Sequence, residues 1–350
     1  MKAFDILNNS HLHTVLPIYL SYNINPDYTR ERIDTPDSDF IDMDWINKNI
    51  IDAPTVILFH GMEGNSQSHY ARRIMYYIEQ IGWRGVVPHF RGCSEELNRT
   101  LKIYNAYDTS DIIWVIETIR SRTNNKLFII GVSLGANLLL KLLGENNNNN
   151  NDKLNCVLID GAVAISTPFD LAATTNIMDQ GINKHIYAKA FLNTLMPKMK
   201  EYANKFDNFK YKFEDEVDTM QQFNELYLSQ ISKFQNSADY YTQSSCKPYL
   251  KNIKIPTMIL QAQNDPIIPI ESWPNKSELS SAIKFVGTKT GGHGGFIVAN
   301  TDYKKALLRM PKFIIEYLKT VSKHTINSNI IKHNTIIDAQ TDATKQTQSS

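Results

Sequence analysis

Apolar residues in this chain fall into short continuous runs, separated by stretches where they recur at helical spacing. Thr55-Val56-Ile57-Leu58-Phe59 is a run of the first kind and ends at His60-Gly61. A helical pattern follows over Ser68 to Ile81, closed by Gly82. Gly85 to Phe90 reads as the next strand, and Thr109 to Arg120 as a helix with Ile112, Ile113, Val115, Ile116 and Ile119 on its apolar side. Leu127 to Ile130 is a strand running into Gly131, and Leu134 to Leu143 a strongly apolar helix. Leu154 to Ile165, Thr257 to Leu260 and Ile283 to Val286 read as further strands, and Tyr303 to Thr320 as a last helix. Strands this continuously apolar, alternating with helices, predict an α/β fold with a mostly parallel sheet covered on both faces. Ahead of it, Arg30 to Ile33 and Phe40 to Trp45 resemble a polar hairpin at the sheet edge.

Leu171 to Leu250 breaks the alternation. It is helix-like, rich in Lys, Glu, Tyr and Met, and lies between two sheet strands, so it predicts a helical cap inserted over one face. Asn146 to Asn151 is an unbroken Asn run, expected as a surface loop. Ser322 to Ser350 is rich in Thr, Asn, Gln and Ser and is expected as a poorly ordered tail. The predicted organisation is one domain over 1–321, with its cap at about 171–250, and a polar tail over 322–350.

Composition narrows the function. The chain has 350 residues, with 37 Lys and Arg against 36 Asp and Glu. That balance speaks against a nucleic-acid partner and against a polybasic membrane surface. A hydrophobic fraction of 42% excludes disorder as a whole-chain class. No run reaches the length of a transmembrane helix. Met1 to Leu20 lacks the apolar stretch and cleavage site of a signal peptide. Cys93, Cys156 and Cys246 form no CxxC pair and read as free thiols of a reducing compartment. The expectation is a cytoplasmic protein without metal or cofactor, its oligomeric state open.

The chemistry starts at Gly131-Val132-Ser133-Leu134-Gly135, a G-x-S-x-G motif between an apolar strand and an apolar helix. That context is a nucleophile elbow, in which Ser133 sits on a tight turn with a helix N-terminus pointed at it. A serine needs a base and an orienting acid, which in this fold follow it in the order Asp or Glu, then His. His293 follows the last strand in Gly291-Gly292-His293-Gly294-Gly295, where glycines let a loop return over the elbow. Asp265, in Asn264-Asp265-Pro266, leads for the acid, with Asp160 and Asp170 as competitors. A tetrahedral intermediate needs two backbone N–H donors, expected from Leu134 and from Met62 in His60-Gly61-Met62-Glu63-Gly64. His60 is expected to be structural, bonded at the base of that loop. Cys93 reads as a buried, inert thiol. Phe191, Met196, Met199, Tyr187, Phe223 and Tyr227 either line an acyl groove or simply pack the cap. Lys198, Lys200, Lys205 and Lys210, interleaved with Glu201 and Asp207, are expected as a solvated helix face.

With these residues in hand, the sequence resembles the YheT-like branch of the α/β hydrolases, also called the AB hydrolase 4 family. The resemblance runs from about Ser10 to about Leu318. It is carried by His11-Leu12-His13-Thr14-Val15-Leu16-Pro17, Asp39-Phe40-Ile41-Asp42-Met43-Asp44-Trp45, His60-Gly61-Met62-Glu63-Gly64 and Phe90-Arg91-Gly92-Cys93-Ser94. It continues through Gly131 to Asn137, Ser166 to Leu171, Asn264-Asp265-Pro266 and Gly291 to Phe296. It implies a charge relay on Ser133, Asp265 and His293 and a serine esterase acting on carboxylic or lipid esters. Some relatives act on acylglycerols or phospholipids. Some eukaryotic ones carry an N-terminal membrane anchor, which this sequence does not display. Ala136, Glu95 and Tyr104-Asn105-Ala106 depart from the family pattern and bear on substrate preference.

The expected function is ester hydrolysis through an acyl-enzyme, on a small-molecule or lipid ester. A thioesterase or acyltransferase using the same three residues is the alternative among enzymes. A non-catalytic binding protein on this fold is the alternative outside them.

Overall fold

The computed structural model of the protein describes residues 9–145, 159–209, 217–228, 234–298 and 302–324. Its strands are β1 (Thr29–Asp34), β2 (Phe40–Ile46), β3 (Thr55–Phe59), β4 (Arg84–Pro88), β5 (Leu127–Val132), β6 (Gly161–Ile165), β7 (Thr257–Ala262) and β8 (Ile283–Thr288). They form one eight-stranded sheet in the order β1-β2-β4-β3-β5-β6-β7-β8. β2 is antiparallel to both β1 and β4, and the remaining pairs are parallel. The longer helices are α1 (Ser10–Leu20), α2 (His69–Gln80), α3 (Ser110–Arg120), α4 (Leu134–Glu145), α5 (Leu171–Met178), α6 (Lys189–Lys205), α7 (Met220–Leu228), α8 (Ser237–Ser244) and α9 (Tyr303–His324).

The unbroken apolar runs have a direct cause. Ile57 and Phe59 of β3 join the core on one face of the sheet, beneath α3 and α4. Val56 and Leu58 join the core on the other face, beneath α2 and α9. With both faces covered, every β3 residue is buried and no polar alternation survives.

The leading hairpin departs from expectation. β1 is the edge strand, but β2 is buried along its whole length between β1 and β4. Its acidic residues made it look solvent-facing. In the register Arg30 stands opposite Asp44 and Arg32 opposite Asp42, and each pair closes at 2.8 Å. Asp44 also accepts from Ser66 Oγ at 2.5 Å and lies 3.1 Å from His89 Nε2. These donors hold its carboxyl well below the usual range, against the effect of burial.

Two helices also differ from the sequence expectation. α1 was not predicted; Asn9 caps it, its side chain accepting from His11 N–H at 2.9 Å and Leu12 N–H at 3.1 Å. Pro17 inside it masks the pattern, since a proline normally argues against a helix interior. α9 runs to His324, beyond the predicted end, with Val321 buried beside Gly161. The Asn run, Cys156 and the remainder of the tail lie outside the described residues.

Between β6 and β7 the described residues carry α5 to α8 and no strand. These helices have an apolar cluster of their own, which includes Leu192, Met199, Phe223 and Tyr227. Ile267 and Ile268, from the loop after β7, belong to the same cluster, and Met62 packs against it. The helical segment thus packs at the carboxyl ends of the parallel strands, where ligands of such sheets bind.

Candidate active site

Ser133 occupies the sharp turn between β5 and α4 with a left-handed φ of 54°. The flanking glycines are steric requirements. A Cβ on Gly135 would lie 2.4 Å from Phe59 O, and one on Gly131 would lie 2.5 Å from Gly135 O. Ser133, Glu63, Ser166 and Phe296 all have positive φ, and all lie on loops that follow parallel strands at the same end of the sheet. Backbone strain gathers there as it does at functional sites.

His293 Nε2 lies 2.9 Å from Ser133 Oγ, and His293 Nδ1 lies 2.9 Å from Asp265 Oδ2. The Asp265 side chain is fully buried. Its other oxygen accepts from the backbone N–H groups of Ile267 and Ile268 at 2.9 and 3.1 Å. A buried carboxylate with both oxygens bonded is held in one orientation, and it fixes the imidazole tautomer with the proton on Nδ1. The competing acids are engaged elsewhere. Asp160 pairs with Lys126 Nζ at 2.7 Å and accepts from Leu127 N–H, and Asp170 caps α5.

Met62 and Leu134 line the same cavity as Ser133 and His293. Neither N–H has an acceptor among the described residues. His60 takes no part in this arrangement. Its Nε2 accepts from Phe90 N–H at 3.0 Å, so Nδ1 carries the proton and donates to Gly61 O at 2.7 Å. Burial pushes this imidazole down to about 3, and the ring stays neutral. Cys93 is also buried, which pushes its thiol up to about 12; a thiol in that state is not a nucleophile at neutral pH.

The loop carrying His293 is fastened from several sides by residues to which the sequence assigned no role: Thr14, Ser166 and Asn264 lie in blocks of the family resemblance, and Arg73 lies in none. Thr14 Oγ1, in α1, accepts from His293 N–H at 3.0 Å. Ser166 Oγ accepts from Gly294 N–H at 2.9 Å. Asn264 Oδ1 accepts from the N–H groups of Gly291 and Gly292. Arg73, fully buried in α2, donates to Gly294 O and Gly295 O at 2.6 Å each. No carboxylate pairs with it among the described residues, and burial lowers its guanidinium to about 9. His69 lies beside it, and burial holds that imidazole well below its usual range.

The cavity over Ser133 measures about 120 Å³. Phe191, Met199, Phe223 and Tyr227 of the helical segment line it, together with Leu134 and Ile267. Met196 and Tyr187 are not part of its lining; Tyr187 Oη instead lies 3.0 Å from His11 Nδ1. Of the lysines of α6, Lys200 and Lys205 are exposed as expected, but Lys198 is not. Lys198 lines the cavity and binds Glu63, and Lys205 donates to Leu97 O and Asn98 O. The interleaved acids point to solvation, but the partner of Lys198 comes from a loop distant in the chain. Lys210 lies outside the described residues. Among the described residues no three His, Cys, Asp or Glu side chains converge as a metal-ligand set, and no helix is long and apolar enough to cross a membrane.

A sheet of this order, a serine on a strained strand-to-helix turn and a histidine loop above it define the α/β-hydrolase class. A family model for the alpha/beta hydrolase fold matches residues 54–299. The chain is 31% identical over 332 residues to YheT of Escherichia coli K12, named provisionally as an esterase, covering 92% of this chain and 94% of that protein. The chain belongs to the α/β-hydrolase family, in its YheT-like branch. It is 27% identical over 252 residues to the monoacylglycerol lipase of Saccharomyces cerevisiae, covering 69% of this chain and 55% of that one. The fold is also that of the Pyrococcus furiosus esterase Pf2001, with a TM-score of 0.52 at 16% identity over 85% of this chain and 92% of that one.

Proposed function

We propose that the protein is a serine hydrolase that cleaves carboxylic esters through an acyl-enzyme. The observation that carries this reading is the bonded series Ser133, His293, Asp265 opening onto an apolar cavity. Ser133 Oγ attacks the ester carbonyl as His293 Nε2 takes its proton. Asp265 holds the imidazole and stabilises the imidazolium. The N–H groups of Met62 and Leu134 receive the developing oxyanion, helped by the N-terminus of α4. His293 then protonates the leaving alcohol, and water repeats the cycle on the acyl-enzyme.

The lining by Phe, Met, Leu and Ile suits an acyl chain, and one relative is named a monoacylglycerol lipase. Lipid esters such as acylglycerols are therefore the substrates we favour. In the same reading α5 to α8 are a cap on one hydrolase domain that begins near the N-terminus and ends with α9. Cys93 and Cys246 are buried free thiols, in keeping with a cytoplasmic enzyme.

The test is intact-mass analysis after fluorophosphonate treatment of wild type, Ser133→Ala, His293→Ala and Asp265→Ala. The expected result is one adduct, absent in Ser133→Ala and slowed in the other two. A folded wild type that forms no adduct would sink the reading. Supplying a competing alcohol or a thioester then separates hydrolase from acyltransferase and thioesterase.

A further inference from the structure

Glu63 directly follows Met62 in a turn closed by a bond from Gly64 N–H to Gly61 O at 3.0 Å. It occupies the third position of that turn with a φ of 56°, where glycine or asparagine is the usual residue. A glutamate in this place persists only if its surroundings hold it there. Tyr104 Oη accepts from Glu63 N–H at 3.0 Å and donates to Glu63 Oε1 at 2.7 Å. Burial raises the Tyr104 phenol well above its usual range, so it remains a donor. Lys198 Nζ, from α6, donates to both Glu63 oxygens at 2.6 and 2.7 Å. The two charged side chains are 13% and 9% exposed. Met62, Tyr104 and Lys198 all line the cavity that holds Ser133 and His293. An almost dry ion pair therefore joins a helix of the β6–β7 segment to the turn that presents Met62 N–H.

We propose that Lys198 and Glu63 are positioning residues for the acyl-transfer step. The pair holds the Gly61–Gly64 turn so that Met62 N–H meets the oxyanion, and it does so while α6 is docked over the cavity. This rests on the assignment of Ser133 as nucleophile and Met62 as oxyanion donor. Neither residue touches the reacting atoms. Their effect should therefore fall on kcat, since oxyanion contacts strengthen in the transition state, and much less on KM.

The test is steady-state hydrolysis of p-nitrophenyl butyrate, with thermal melting, on the full-length wild type, Lys198→Arg, Lys198→Met and the double variant Lys198→Met/Glu63→Gln. Lys198→Met should lower kcat roughly 10- to 100-fold, comparable to a weakened oxyanion donor, with KM within about 3-fold. Lys198→Arg keeps the charge and should restore most of kcat. The double variant leaves no uncompensated buried charge, so it should melt close to wild type while kcat stays low. If Lys198→Met fails to fold, the double variant decides. A double variant whose kcat recovers together with its melting temperature, or a loss confined to KM, would overturn the proposal. A wild type without turnover would remove the Ser133 reading and this inference with it, an outcome visible before any variant is compared.

Discussion

Thr14 Oγ1 accepts a hydrogen bond from the backbone N–H of His293 at 3.0 Å, although the two are 279 positions apart in the chain. The same hydroxyl donates to Ser10 O at 2.9 Å. α1 is thus a brace for the histidine loop, and its backbone closes on the glycines there: a Cβ on Gly295 would lie 1.9 Å from His13 O. Thr14→Val keeps the shape and removes both bonds. Stability should fall by about 1–3 kcal/mol, the usual cost of a half-buried donor left unmade. Ester hydrolysis should fall about 10-fold as the imidazole loosens. Thr14→Ser should retain both. Urea unfolding and kcat/KM on one soluble ester would show it; a Thr14→Val protein with wild-type kcat/KM would remove the link to His293.

Arg73 makes a second prediction. Its guanidinium spans two carbonyls, Gly294 O and Gly295 O, with bonds from separate nitrogens. A lysine ammonium lacks that planar fork. Arg73→Lys should therefore behave more like Arg73→Met than like wild type, each slowing fluorophosphonate labelling of Ser133 by about 10-fold or more. Labelling of Arg73→Lys at the wild-type rate would mean that charge alone suffices.

His60 should make the fold acid-sensitive. Its folded value of about 3 lies below that of an unfolded histidine, so between pH 6.5 and about 3 the unfolded chain binds a proton that the native state does not. Stability contributed by neutral His60 is complete above the unfolded value and is lost as pH falls through this window. Glutamine can accept from Phe90 N–H and donate to Gly61 O without titrating. His60→Gln should thus show a shallower loss of stability between pH 7 and pH 4. Equal slopes for the two proteins, measured by urea unfolding at each pH, would assign the acid sensitivity to other groups.

Two glycines should respond to alanine to different degrees, for different reasons. Gly135→Ala places a Cβ against the carbonyls of Phe59 and His60, backbone of a central strand and its loop. It should cost about 3 kcal/mol or more, or prevent folding. Gly82 has a φ of 72° but open space around it, so Gly82→Ala should cost only about 1–2 kcal/mol, the left-handed penalty alone. Melting temperatures of the two variants would separate sterics from strain.

Much of this protein is local and therefore legible in its residues. The apolar runs of β3, β5 and β7 and the periodic helices α2 to α4 follow from burial on two faces or one. Ser133, Asp265 and His293 stand out because an elbow, a turn before proline and a glycine-rich loop are each local patterns in a recognisable order. What the residues concealed depends on partners far away in the chain. β2 looked like an exposed edge because its aspartates are polar; only the register opposite Arg30 and Arg32 makes a buried strand of it. Lys198 looked solvated because its charged neighbours in sequence suggested an exposed helix face, yet its partner Glu63 lies 135 residues away. Thr14 lies in a block of the resemblance and Arg73 in none, but the role of each is decided only where α1 and α2 meet the loop after β8. Local sequence determines which segments become helices and strands, because backbone geometry and burial periodicity act within a few residues. Tertiary packing alone decides which charges and hydroxyls find one another, because a buried polar group is stable only beside a partner that the folded chain has brought to it.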